Sequence, residues 1–199
     1  MRSEAVQKNT KQVILKNALS CFSKNGFDGT SMREIASHSK VAKPAVYYYF
    51  NNKEGLFEEL VDDSFDVLYN ITRRAVENKK TTKSKILALF STFENMAENY
   101  KETASFLFLV VLAPKSTSFS KKINRHLDKH QKIIKNIFAK GVLSGEIKKE
   151  QEIIWEILIS SLGKFYIMHL LSGRDYKRHV QKTLQFLLSQ IDRSYDKKN

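Results

Sequence analysis

Lys43, Tyr47, Tyr48 and Tyr49 fall within seven residues of one another, and Lys53 follows at once. Ammonium and phenol groups at that spacing hydrogen-bond phosphates and touch base edges, the two contacts from which proteins build recognition of a duplex. The chemistry they suggest is nucleic-acid binding. It is not turnover: the chain has no glycine-rich phosphate loop, no nucleophile elbow and no paired carboxylates in an acid–base setting, so no enzyme, catalytic residue or cofactor is expected.

Two short helices must position those side chains. Ser31 with Glu34 three residues later forms a capping box that starts a helix at Met32, with Ile35 and Ala36 facing inward. Polar Ser37, His38, Ser39 and Lys40 interrupt it, and Val41 drops inward before a second helix opens near Ala42 or Lys43. Pro44 sits in that helix's first turn, where a missing amide is tolerated. Val46 and Phe50, four apart, pack inward and leave Lys43, Tyr47 and Tyr48 outside. Tyr47 to Phe50 can also be read as an aromatic knot holding a small domain together. Asn52 is a plausible N-cap for the next helix.

The run Phe22, Asn25, Gly26, Phe27, Thr30, Ser31, Ile35, Ala36, Val41, Lys43, Tyr47, Tyr48, Phe50, Lys53 and Phe57 resembles the DNA-binding domain of tetracycline-repressor (TetR) family regulators. The resemblance covers roughly the first 60 residues strongly, and the rest by length and helical pattern only. It implies that Lys43, Tyr47, Tyr48 and Tyr49 meet DNA from the recognition helix, and that Ser31, Met32 and Lys53 lie near backbone phosphates. Three positions depart from the family pattern. Lys40 stands where the turn commonly has glycine, Ala42 replaces the usual capping serine or threonine, and Tyr49 replaces a frequent histidine.

The remainder reads as helix. Two prolines and seven glycines in 199 residues, no hairpin dipeptides, and apolar residues recurring at three and four predict an all-α fold. The expected domains are a three-helix helix-turn-helix unit, 1–53, and a helical effector-binding and dimerisation domain, 54–199. Expected helices span 3–24, 53–78, 104–112, 119–142, 150–171 and 176–193. Gly26, Pro114, Gly141 or Gly145, and Gly173 are the expected stops, and Lys79 to Thr82 a polar linker. Ile14, Ala18, Leu19 and Phe22 mark the inward face of the first helix, which makes Cys21 beside them a buried small hydrophobe.

Charge is unevenly spread. Residues 1–53 hold 9 basic against 3 acidic side chains, 54–78 hold 2 against 7, and 79–149 hold 15 against 5, within a total of +13. The first block coincides with the proposed DNA-binding unit. The third is either a solvated lysine-rich face or extra nonspecific attraction for DNA or an acidic partner.

The helix from 150 to 171 is apolar round most of its circumference and needs a partner beyond its own core; the simplest is a second copy, with Val180, Leu184, Leu187, Leu188 and Ile191 of the last helix completing a four-helix interface, as the resemblance also implies. A twofold homodimer through the last two helices sets two recognition helices about one DNA turn, roughly 34–36 Å, apart and requires a near-palindromic double-stranded operator. Phe90, Phe93, Met96, Phe106, Phe108, Phe138, Trp155, Phe165 and Met168 are candidates to line a pocket for a lipophilic or aromatic effector; the same residues can be solid core.

His126 and His130 are four apart, a metal-binding spacing, but cationic neighbours and the lack of a third ligand argue against a metal there. The polar start MRSEAVQKNTKQ and the charges within 153–171 predict a cytoplasmic protein without a membrane span. The function expected is a ligand-responsive transcriptional regulator, a repressor released from its operator by a small molecule. The alternative is an effector-independent dimeric DNA-binding protein.

Overall fold

A computed structural model of the chain describes residues 2–112, 119–172 and 177–196. All regular structure among them is helical: α1 (Arg2–Asn25), α2 (Met32–His38), α3 (Lys43–Phe50), α4 (Lys53–Glu77), α5 (Thr82–Asn99), α6 (Lys101–Leu112), α7 (Ser120–Leu143), a 3-10 turn (Lys149–Gln151), α8 (Glu152–Leu171) and α9 (Lys177–Asp196). No described helix is long and apolar enough to cross a membrane.

The contacts divide the chain into two compact units, residues 1–66 with 102–123, and residues 67–101 with 124–199. The first is larger than the 1–53 segment expected to form it, because α4 and α6 complete its core. Phe57 of α4 is the hub. Its ring lies 5.2 Å from Phe22, 5.0 Å from Phe27, 5.2 Å from Phe106 and 4.8 Å from Phe119, centroid to centroid. Edge-on and tilted arrangements of this kind add attraction beyond the buried area. Lys122 fastens the same unit by reaching Asp62 at 2.8 Å and Glu58 at 3.0 Å.

The second unit packs around Ile86, Leu89, Phe90, Phe93, Ile134, Phe138, Trp155 and Leu184. Its α5 is not preceded by a featureless linker: Thr81 is an N-cap, its Oγ1 accepting from the Ser84 amide at 3.1 Å while its own amide donates to Ser84 Oγ at 3.2 Å. The amide of buried Thr82 donates to Glu146 at 2.8 Å. Two glycines permit close approach: a Cβ at Gly141 would stand 2.5 Å from Thr82 Oγ1, and one at Gly163 would stand 2.4 Å from the Phe93 ring. Gly145, with φ at +76°, is the residue that ends α7, whereas Gly141 lies within it. Pro114 and Gly173 lie outside the described residues.

Candidate nucleic-acid interface

The helix-turn-helix is assembled by local hydrogen bonds that the residue types dictate. Gly26 adopts φ +71° and its amide closes α1 on the Phe22 carbonyl at 3.0 Å, as a left-handed C-terminal glycine does. Buried Thr30 returns its hydroxyl to the Gly26 carbonyl at 2.9 Å. Ser31 and Glu34 form the capping box of α2: the Glu34 amide donates to Ser31 Oγ at 3.1 Å, and the Ser31 amide donates to Glu34 Oε2 at 3.4 Å. Asn25 adds a bond from Nδ2 to Glu34 Oε1 at 3.1 Å.

The turn is closed at Lys40, which holds φ +54° despite its side chain, and by the Val41 amide on the Ala36 carbonyl at 3.1 Å. Val41 is half-buried rather than a core residue. Helix α3 then opens at Lys43 with Ala42 as N-cap and no side-chain bond to its orphan amides, while Pro44 occupies the first turn. At its far end Asn52 caps α4, its Oδ1 accepting from the Gly55 amide at 2.7 Å.

Val46 and Phe50 are buried, and Tyr47 and Tyr48 are 39% and 73% exposed, so neither tyrosine is the centre of an aromatic knot. Lys43 is exposed, with its ammonium 5.6 Å from the Tyr47 ring centroid. Tyr49 is half-buried, its ring edge-on to Tyr48 at 5.2 Å and 6.2 Å from Phe50. One face of α3 therefore presents Lys43, Tyr47 and Tyr48 to solvent.

Two expected positions come out differently from the others. The Met32 side chain is 6% exposed and belongs to the core, so this residue has only its backbone to offer a phosphate. Arg33 beside it is exposed, and it is the guanidinium that sequence reasoning passed over. The Lys53 ammonium donates inward to the carbonyls of Phe27 at 2.9 Å and Thr30 at 3.1 Å, leaving one of its three donors uncommitted. Ser31 is exposed at the start of α2.

The nine residues named for an effector pocket do not converge. Phe90, Phe93, Phe138 and Trp155 share the packed core of the second unit, and Met96 is buried. Phe106 and Phe108 belong to the first unit, and Phe165 and Met168 are exposed. An open groove of about 570 Å³ does exist in the second unit, but Arg74, Asn78, Lys79, Ser84, Leu87 and Ser91 line it with two small alanines, and none of the nine takes part.

His130 turns to Thr72, Nε2 to Oγ1 at 3.2 Å, and burial lowers its pKa to about 4.

Residues 14–60 match the family model described as bacterial regulatory proteins, tetR family. The chain is 30% identical over 135 residues to a Bacillus subtilis (strain 168) protein named "Probable HTH-type transcriptional regulator YttP", spanning 67% of this chain and 65% of that one, just under two thirds of its length. Its helix-turn-helix is a TetR-family DNA-binding domain. A further relative is the HTH-type negative transcriptional regulator IcaR of the biofilm operon icaADBC in Staphylococcus aureus (strain Newman), 28% identical over 158 residues that cover 79% of this chain and 82% of that protein. Among solved structures, FadR from Bacillus subtilis in complex with stearoyl-CoA shares the fold with a TM-score of 0.73, at 20% identity, over 90% of this chain and 96% of that one. The TetR fold accounts for the order of elements here, a helix-turn-helix followed by a larger helical part.

Proposed function

We propose that this chain is a dimeric TetR-family repressor that grips a near-palindromic duplex through α3 and α2 and releases it on binding a lipophilic small molecule. The observation that carries the reading is the solvent face of α3: Lys43, Tyr47 and Tyr48 stand out while Val46 and Phe50 anchor the helix behind them. Lys43 reads base edges; Tyr47, Tyr48 and Tyr49 serve bases and phosphates together; Ser31, the Met32 amide, Arg33 and the remaining donor of Lys53 hold the backbone.

Dimerisation is supported by α8, where Ile153, Ile157, Phe165 and Met168 are all exposed and fall on one side of a 3.6-residue helix. Phe186 of α9, 65% exposed, extends the apolar surface, whereas Val180, Leu184 and Leu188 of that helix are used by the core of their own unit. Exposed apolar area of this kind calls for a partner, and a second copy supplies the twofold symmetry that a palindrome needs. A lipophilic effector is favoured by the fold shared with FadR, whose solved complex holds stearoyl-CoA. Effector binding that favours one spacing of the two recognition helices over another changes operator affinity by the difference in its own affinity for the two states.

Selection of bound sequences from a random duplex pool by the full-length protein tests the central claim. Enrichment of an inverted repeat with half-sites about one helical turn apart is expected; recovery of unenriched sequence would overturn it. Lys43→Ala should change the sequence selected, and Tyr48→Phe should weaken every duplex alike by about tenfold, the loss of one hydrogen bond to a charged group. A panel of lipophilic compounds, long-chain acyl thioesters included, tests release: a compound that raises the Tm and frees the operator identifies the effector class, and none doing so points to constitutive binding.

A further inference from the structure

Cys21 of α1 and the Glu34 and His38 side chains of α2 bring a sulfur, a carboxylate oxygen and an imidazole nitrogen to within 4.8 Å of one another. They are 13 and 17 residues apart in sequence from the cysteine, and no role in the helix-turn-helix as a DNA reader calls for a thiol and an imidazole there. We propose that these three residues form a binding site for one borderline-soft divalent metal ion of the zinc type.

The donor set is the one such an ion prefers, and the geometry is close to what it requires. Tetrahedral coordination with a metal–sulfur bond of about 2.3 Å and metal–nitrogen and metal–oxygen bonds of about 2.0–2.1 Å sets sulfur and nitrogen roughly 3.6 Å apart, and nitrogen and oxygen roughly 3.3 Å apart. Cys21 Sγ lies 3.8 Å from His38 Nδ1. The remaining separations are within 4.8 Å, so side-chain rotations that close them by up to about 1.5 Å complete the triangle around an ion. Cys21 is buried and His38 is exposed, so the fourth position opens toward solvent and takes a water.

The surroundings fit an ion as well. Asn25 holds Glu34 Oε1 from behind, the kind of outer partner that orients a ligating carboxylate. Each Glu34 oxygen accepts one hydrogen bond and keeps a lone pair for the metal, so the capping box need not break. Without an ion, His38 Nδ1 donates to the Glu34 carbonyl at 2.9 Å; binding gives up that bond, the exposed ring turns its Nδ1 lone pair toward the ion, and the proton passes to Nε2, where water accepts it. Without an ion, burial first and the Glu34 charge next push the Cys21 thiol pKa up. The metal takes the place of the thiol proton, which leaves to solvent, and its charge offsets the thiolate and the carboxylate together. Bound there, the ion pins α2 to α1.

The experiment uses the full-length chain, reduced, stripped with chelator and free of DNA, titrated with Zn2+ against a chromophoric competitor. One equivalent per chain is expected, with a Tm that rises with metal concentration. Cys21→Ser and His38→Ala should each weaken that binding by at least about 100-fold, the upper end of what outer-shell changes alone cause. His38 is exposed, so His38→Ala tests the site without disturbing the core, and circular dichroism checks that both variants remain folded. Substitution with Co2+ should give a thiolate charge-transfer band that Cys21→Ser abolishes. Absence of stoichiometric Zn2+ uptake by the parent chain, or uptake unchanged in both variants, overturns the proposal. Because no DNA is present, either outcome leaves the repressor reading to its own test.

Discussion

Lys53 and Phe27, 26 residues apart, are clamped to each other twice: the lysine ammonium donates to the Phe27 carbonyl at 2.9 Å and also lies 4.3 Å from the centroid of the Phe27 ring. A third contact, to the Thr30 carbonyl at 3.1 Å, fixes the loop just ahead of the Ser31 cap. The first residue of α4 thus holds the entry to α2, and Phe27 passes the restraint on to Phe57 and Phe119, whose rings it meets at 5.0 and 5.2 Å. A residue expected to serve only a phosphate has a structural task as well.

Replacing Lys53 by Met keeps the aliphatic stem but removes two charge-assisted hydrogen bonds and the cation over the ring. A loss of roughly 2 kcal/mol is expected at this half-buried position, read as a lower urea midpoint at unchanged slope. Should the variant be as stable as the parent, the clamp has no energetic weight. A phosphate contact by the remaining donor is tested separately, on folded protein, as a decrease of about 0.9 in the slope of log binding constant against log salt.

Lys40 holds a left-handed backbone at φ +54° in a turn where glycine carries no steric cost. Lys40→Gly is expected to stabilise the protein by about 1 kcal/mol, the strain relieved less the extra entropy that glycine brings to the unfolded chain. Thermal and urea unfolding measure it. A destabilised variant would mean that the lysine side chain contributes more than its backbone strains.

Much of this was legible in the sequence because it is local. Ser31 and Glu34, Gly26, Pro44 and Asn52 act on residues within one helical turn, and each does what its type predicts. The pair Val46 and Phe50 follows from helical period alone. What was not legible depends on distant segments meeting. No periodicity announces that residues 102–123 complete the core around Phe57, that Met32 turns inward, or that Cys21 faces His38 across 17 positions. The nine aromatic and methionine residues illustrate the same limit: an apolar stripe states that a face is covered, and not whether core, partner or ligand covers it.

Gly163 of α8 marks the close seam with α5. A methyl there would stand 2.4 Å from the Cε2 and Cζ atoms of Phe93, a buried ring with little room to move. Gly163→Ala should lower stability by about 1–3 kcal/mol, as over-packing in a filled core does. Pairing it with Phe93→Leu, which shortens the ring, should recover part of the loss, and a double-mutant cycle reads the coupling directly. Additive effects would place the cost of the alanine elsewhere.

His130 gives the second unit a pH dependence whose sign follows from its surroundings. Burial depresses its pKa from 6.5 to about 4, and Thr72 Oγ1 donates to the Leu68 carbonyl at 2.8 Å, so that oxygen is free to accept from the neutral ring's Nε2–H. Between those two values the unfolded chain binds a proton that the folded chain refuses. Stability is therefore complete above about pH 6.5 and falls as the pH drops toward 4, by up to roughly 3 kcal/mol from this group. His130→Gln keeps a donor for Thr72 but cannot titrate, so its urea midpoint should change less than the parent's over that interval. Parallel curves for the two proteins would mean that His130 is charged in the folded state, and that the acid sensitivity belongs to carboxylates instead.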